Sequence, residues 1–252
     1  MDTADNGSDA RDARQLQRKR ARTVELNADF SRRAAVHAAR LAWVPSPIPG
    51  VERRMLDRIG DEVARATSIV RYAPRSRFSA HTHGGGEEFL VLEGVFQDDH
   101  ADYPAGYYVR NPPTSGHRPG SEAGCVIFVK LWQFAPDDRT QVRIDTRQRP
   151  FLPEPGRPGV ELQPLFRDDR EDVRLERWAP DARVEHRAEG GIELLVLDGQ
   201  FCEGGEDFTP QSWLRLPPGS ILRAEAGPEG CRLWVKSGLI RQASSLESRY
   251  QA

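Results

Sequence analysis

Glu88-Phe-Leu-Val-Leu-Glu-Gly-Val-Phe96 and Glu193-Leu-Leu-Val-Leu-Asp-Gly-Gln-Phe201 are identical at six of nine positions and lie 105 residues apart. Arg110-Asn-Pro-Pro113 matches Arg215-Leu-Pro-Pro218 at the same offset. Tyr72-Ala-Pro74 with Trp178-Ala-Pro180, and Gly124-Cys125 with Gly230-Cys231, match at an offset of 106. A change of one residue is a difference in loop length, which loops tolerate. Four matches in one order along the chain mean a duplicated unit of about 100 residues.

Outward from these runs the chain reads as β-structure. Val51 to Arg58 and Val63 to Tyr72 flank Ile59-Gly60-Asp61, where glycine suits a tight turn, so a hairpin is expected. Further strands are expected at Phe89 to Phe96, Gly106 to Arg110 and Cys125 to Phe134, separated by Gly, Pro and Asp clusters at the spacing of a sandwich or barrel. Five prolines between Pro136 and Pro158 mark a Pro-rich linker, because each lacks a donor for a sheet ladder. Val142-Arg143-Ile144 inside it could still pair as a short strand. The expected division is a mobile polar tail over 1–28, a first unit over 29–140, the linker over 141–160, a second unit over 161–240 and a C-terminal tail over 241–252.

A chain of 252 residues has room for two such units with real cores. A net charge of -2 offers no electrostatic attraction to nucleic acid, and the basic cluster Arg18-Lys19-Arg20-Ala21-Arg22 reads as a solvated arm. No secretory leader and no run of 18 apolar residues is present, so a cytoplasmic protein with no membrane partner is expected. Cys125, Cys202 and Cys231 form an odd set without a C-x-x-C pair, which predicts buried free thiols rather than disulfides or a thiolate zinc site.

One segment carries chemistry. His81-Thr-His83-Gly-Gly-Gly-Glu87 places two imidazoles and a carboxylate within seven positions. On extended backbone His81 and His83 share a face and can reach one cation, and the three glycines let the chain bend so that Glu87 returns to the same point. About thirty residues on, Gly106-Tyr-Tyr-Val-Arg-Asn-Pro112-Pro-Thr-Ser-Gly-His117 offers a third histidine in a proline-rich turn.

These two stretches resemble the paired motifs of the cupin superfamily. His81, His83, Glu87 and Gly94 fall on the first motif; Gly106, Pro112 and His117 fall on the second. Three positions depart from the pattern: Arg75 replaces the opening glycine, Thr114 the glycine of the second motif, and Ser121 its final asparagine. The departures bear on backbone conformation rather than on the ligands. The wording around His81 to Phe96, Arg110 to Pro113 and Gly124-Cys125 is similar to the ChrR-like cupins, named for the metal-binding half of an anti-sigma factor. The resemblance covers roughly Val51 to Phe134 well, and Arg177 to Ser237 as a weaker copy. It implies an all-β chain of two cupin jelly-roll barrels in tandem and a metal site of His81, His83, Glu87 and His117. No His-x3-Cys-x2-Cys pattern of the sigma-binding domain occurs, so sigma-factor binding is not implied.

In the second copy His186 corresponds to His81, but Ala188, Ile192 and Leu222 replace His83, Glu87 and His117. A lone imidazole does not hold a metal tightly, so this barrel is expected to be a packing partner or an apolar pocket. Glu88 competes with Glu87 as the carboxylate, and motif spacing to Gly94 favours Glu87. His37 and His100 lack partners at ligand spacing, and Tyr107, Tyr108, Phe128 and Trp132 read as core before pocket lining.

Three imidazoles and a carboxylate suit one divalent ion, Fe2+ or Zn2+ first, with Mn2+, Ni2+ or Cu2+ also compatible. A six-coordinate metal leaves open positions for O2 and a chelating substrate, which points to a dioxygenase acting on a small organic molecule. The alternative is a noncatalytic metal- or oxidant-sensing cupin; isomerisation or binding of a sugar-like ligand has no supporting residues. A homodimer joined through strand edges is expected from similar cupins.

Overall fold

The computed structural model describes residues 24–61 and 63–238. Apart from two single-turn 3-10 segments, Ala38–Arg40 and Thr146–Gln148, its regular structure is all strand. No helix among the described residues is long and apolar enough to cross a membrane. The expected N-terminal tail, 1–28, lies mostly outside the described residues. Its last part is built in: Glu25 and Leu26 pair with Ile59 and Arg58, and Asn27 donates to the Leu56 carbonyl at 2.7 Å. The expected C-terminal tail lies outside the described residues.

Two units of matching topology repeat the sequence duplication. In the first, the sheet runs Val51–Gly60, Ala64–Tyr72, Cys125–Leu131, Glu87–Gln97, Tyr107–Asn111; in the second, Val160–Arg167, Asp172–Trp178, Ser220–Ser237, Ile192–Glu203, Ser212–Leu216. Every strand pairing is antiparallel. The hairpin expected at Gly60 forms, with that glycine at φ +112°. The strand expected to run to Phe134 stops at Leu131, because Trp132 turns into the left-handed region at φ +59°.

Each unit borrows its last strand from the segment that precedes the other. Ala34–His37 pairs with Ser212–Leu216 of the second sheet, whereas Val142–Asp145 pairs with Tyr107–Asn111 of the first. His37 pins this exchange, with Nδ1 2.9 Å from Ser212 Oγ and Nε2 2.9 Å from Glu206 Oε1. The Pro-rich stretch 141–160 is therefore packed: its proline-free part joins a ladder, and Leu152–Pro153 pairs along the edge with Glu161 and Leu162.

Both faces of the central strands are buried, which is why Phe89-Leu-Val-Leu92 reads as a continuous apolar run. Phe89 and Val91 face the first barrel's interior with Val109, Ile127 and Val129. Leu90 faces the other way, into a shared core with Ile69, Tyr108, Phe128, Leu175, Leu195, Trp213 and Trp234. Phe128 meets Trp234 across this interface at 4.8 Å between ring centroids. Burying such side chains contributes about 1.5–3 kcal/mol each, so the two barrels are joined by a true hydrophobic core.

Charged groups thread that core in a reciprocal pattern. Lys236 of the second unit reaches Glu88 of the first at 2.6 Å, and Lys130 of the first reaches Glu193 of the second at 2.5 Å. Arg110 of the first unit pairs with Glu171 of the second at 3.0 Å, and Arg215 of the second with Asp57 of the first at 3.2 Å. These are the duplicated Glu88/Glu193 and Arg110/Arg215 of the sequence repeat. Desolvation offsets most of their attraction, but removing one member strands a buried charge at a cost of about 3–5 kcal/mol.

Candidate metal centre

His81 and His117 are direct partners in a two-stranded ribbon, and backbone bonds tie His83 to the same turn: His83 N–H donates to the Ser115 carbonyl at 2.8 Å and Thr114 N–H to the His83 carbonyl at 2.9 Å. The ribbon brings three imidazoles edge to face, with centroids 4.7 to 5.1 Å apart. One ligand-capable atom from each lies within 4.8 Å of the others. His83 and His117 are buried and His81 is exposed, so the group opens to solvent on the His81 side.

Hydrogen bonds set the direction in which each ring presents its free nitrogen. His81 Nδ1 lies 3.3 Å from the Ser79 carbonyl, and a carbonyl only accepts. His83 Nδ1 lies 3.0 Å from Ser115 Oγ, whose own proton goes to the Pro112 carbonyl at 2.6 Å, leaving that oxygen to accept. His117 Nδ1 lies 3.1 Å from the buried Asp98 carboxylate. Each Nδ1 therefore donates its proton to an oxygen, which directs each Nε2 toward the centre as the atom that can bind a metal once it is free of a proton. His83 Nε2 and His117 Nε2 face each other at 3.3 Å.

Glu87 approaches two members of the group from the long inner strand. Its Oε2 lies 3.4 Å from His83 Nε2 and 3.5 Å from His117 Nε2, and it accepts from Asn111 Nδ2 at 3.3 Å. Atoms bound to one ion at about 2.1 Å lie about 3.0 Å apart across a right angle and about 3.4 Å across a tetrahedral angle. The separations among His83, His117 and Glu87 are close to the edges of such a polyhedron. The three imidazoles can hold one divalent metal, with the Glu87 carboxylate beside two of them.

Strand parity separates the two adjacent glutamates. Glu87 shares the barrel-facing side with Phe89 and Val91, whereas Glu88 shares the interface side with Leu90 and is engaged by Lys236. The glycine run between His83 and Glu87 answers a packing need as well as a bend. Gly86 sits at φ +77°, but a Cβ on Gly85 would fall 2.4 Å from the Trp132 ring and one on Gly86 2.4 Å from the Phe134 ring. Two of the departures from the motif glycines keep left-handed backbone, Arg75 at φ +61° and Thr114 at φ +75°. For β-branched Thr114, between His83 and His117, this is stored strain.

Burial dominates the protonation of His83 and lowers its pKa. Burial also opposes the charge on His117, yet the Asp98 hydrogen bond and the Glu87 charge outweigh it and its pKa is raised. Asp98 is held below its ordinary value despite burial, by His117 and by the His100 and Ala101 amides. Asp98, Ser115 and Asn111 were not singled out by the sequence; their polar residue types in turns carry no signal until the fold brings them to the ring nitrogens.

Among the described residues the second barrel has no such group. His186 pairs with Leu222 just as His81 pairs with His117, which confirms the alignment of the two copies. Ala188, Ile192 and Leu222 are each 1% exposed and join the barrel's apolar core. Deeper inside, Glu176 accepts from Arg157, Arg174 and Trp178 and is pulled down to about 2. Cys125 and Cys231 are buried free thiols pushed up to about 11 and about 12 by burial, whereas Cys202 is free and half-buried. Tyr108 and Phe128 are core residues, and the His100 ring lies 3.3 Å from the Gly116 carbonyl beside the site while its amide donates to Asp98.

The fold is shared with solved cupin structures. A candidate dioxygenase from Nostoc punctiforme superposes with a TM-score of 0.65 at 15% identity, covering 88% of this chain and 85% of that one. Protein YlbA from E. coli gives 0.65 at 12% identity, covering 89% and 97%. An oxalate decarboxylase gives 0.58 at 10% identity, covering 94% and 84%. No curated protein matches the sequence. The model of the ChrR cupin-like domain matches twice, over residues 31–135 and 139–241, so the second match starts before the Pro-rich stretch and takes it in. With both halves of the chain matched, the protein belongs to the ChrR cupin-like family as a tandem pair of its domains.

Proposed function

We propose that the protein is a mononuclear-metal, O2-dependent oxygenase acting on a small organic molecule. The observation that carries this reading is the convergence of three imidazoles, each with its Nδ1 beside an oxygen acceptor, with the Glu87 carboxylate beside two of them. His81, His83, Glu87 and His117 would hold the ion. Once bound, a redox-active metal supplies the means of bringing O2 and a chelating substrate together. The chain's residues do the rest: exposed His81 leaves the approach open, Asp98 and Ser115 orient their imidazoles, and the Phe96 ring, 5.9 Å from that of His117, shields the inner side from water. The likeness to the Nostoc candidate dioxygenase supports the reading at the level of fold.

A noncatalytic metal or oxidant sensor is the second reading, favoured by the family's naming after ChrR. The test starts with the protein purified without added metal, its content measured by plasma mass spectrometry in wild type, His81→Ala and His117→Ala. About one equivalent of iron, lost in both variants, followed by O2 uptake with a diketone, phenol or thiol, supports the oxygenase. One equivalent of zinc and no O2 uptake moves the protein to the sensor reading. Metal retained in both variants refutes the centre.

A further inference from the structure

We propose that the second barrel, lacking a full ligand set of its own, is the positioning element for Glu87, holding the residues on both sides of that ligand from across the interface. The inference rests on the metal-centre reading above and assigns the role of the degenerate copy within it.

The three histidines and Glu87 are carried by separate pieces of backbone. The histidines belong to a small ribbon and turn at the barrel rim, whereas Glu87 opens the long strand that packs against the second barrel. Their mutual geometry depends on where that strand starts. On one side of Glu87, Glu88 is 2% exposed and bonded at 2.6 Å to Lys236, itself 1% exposed and also 3.0 Å from Glu171. On the other side, Gly86 lies against the Phe134 ring so closely that a Cβ would meet it. Arg110 stacks on the far part of this path, 4.2 Å from the Phe134 ring centroid and 3.8 Å from that of Phe166 in the second unit, while pairing with Glu171. Both flanks of the ligand therefore end on second-barrel residues, through groups too well packed to shift independently.

The duplication supplies an internal control. Lys130–Glu193 is the symmetry-related buried pair and joins the same two barrels, but the residue beside Glu193 is Ile192, which binds nothing. Glu88→Gln/Lys236→Met and Lys130→Met/Glu193→Gln each remove both charges of one pair, so neither leaves a lone buried charge.

The experiment measures Co2+ affinity by chelator competition and the Co2+ visible spectrum on the full chain, with amide hydrogen exchange of Glu87 to Phe89 on the metal-free chain. Glu88→Gln/Lys236→Met is expected to weaken Co2+ binding about tenfold or more, as loss of outer support does, to change the spectrum and to speed exchange at those amides. The control pair is expected to stay within about twofold of wild type on the same scale. Equal weakening by both pairs, or unchanged binding and exchange in the first, overturns the proposal. If wild type takes up no Co2+, the metal-centre reading fails, while slow exchange at Glu87 to Phe89 that only the first pair relaxes still upholds the positioning.

Discussion

Replacing Asp98 by asparagine tests the directional wiring of the site more sharply than removing a ligand. Asp98 Oδ1 accepts from the His100 and Ala101 amides at 2.8 and 3.0 Å, and Oδ2 faces His117 Nδ1. In Asp98→Asn the atom that satisfies those two amides must be the side-chain oxygen, so the NH2 group turns toward His117. A donor now faces Nδ1, which must accept, and the imidazole proton moves to Nε2. The atom aimed at the other ligands then has no lone pair to give. Loss of an outer hydrogen bond to a ligating histidine costs about 10- to 100-fold in metal affinity. The tautomer change places this variant at the upper end, about 100-fold or about 2.7 kcal/mol. Competition with a chromophoric chelator at fixed pH measures it. An affinity for Asp98→Asn within about threefold of wild type, on that scale, would show that Asp98 does not set the state of His117.

Gly85→Ala should destabilise the chain by about 1–3 kcal/mol, because its Cβ lands on the Trp132 ring; denaturant unfolding reads the loss, and Trp132→Gly should recover part of it. Thr114→Gly should relieve left-handed strain worth about 1–2 kcal/mol, partly offset by glycine's unfolded-state entropy, and a calorimetric midpoint lower than wild type would contradict that. Glu176 contributes to the acid limb. Burial opposes its charge, but the Arg157 hydrogen bonds and the Arg174 charge overcompensate and lower its pKa from 4.5 to about 2. A depressed carboxylate stabilises fully above 4.5 and loses that contribution as pH falls toward 2, here on the order of 3 kcal/mol. Unfolding free energies at pH 6 and pH 3 should therefore differ more in wild type than in Glu176→Gln.

The duplication, the strand content and the ligand-bearing segments were legible in the sequence because each has a local signature. Strand-length apolar runs separated by Gly, Pro and Asp clusters, and His-x-His followed by a glutamate, are all patterns within ten residues or so. Ala188, Ile192 and Leu222 showed the loss of the second site for the same reason. The strand bounds were less legible, as at Leu131, where the left-handed turn of Trp132 is imposed by packing on Gly84 and Gly85 and not by its residue type.

What the sequence by itself determined is the list of parts: two β units, one with imidazoles and a carboxylate at ligand spacing, one without. Only the tertiary structure decided how they are wired. It put Glu87 toward the histidines and Glu88 toward Lys236, through a strand parity that depends on which faces are buried. It exchanged Ala34–His37 and Val142–Asp145 between the units, and it brought Asp98 to His117. Most of these decisions rest on contacts distant in sequence, such as Asp98 with His117, 19 positions apart, and His37 with Ser212, 175 apart, made by side chains whose local sequence looks like any other turn or strand.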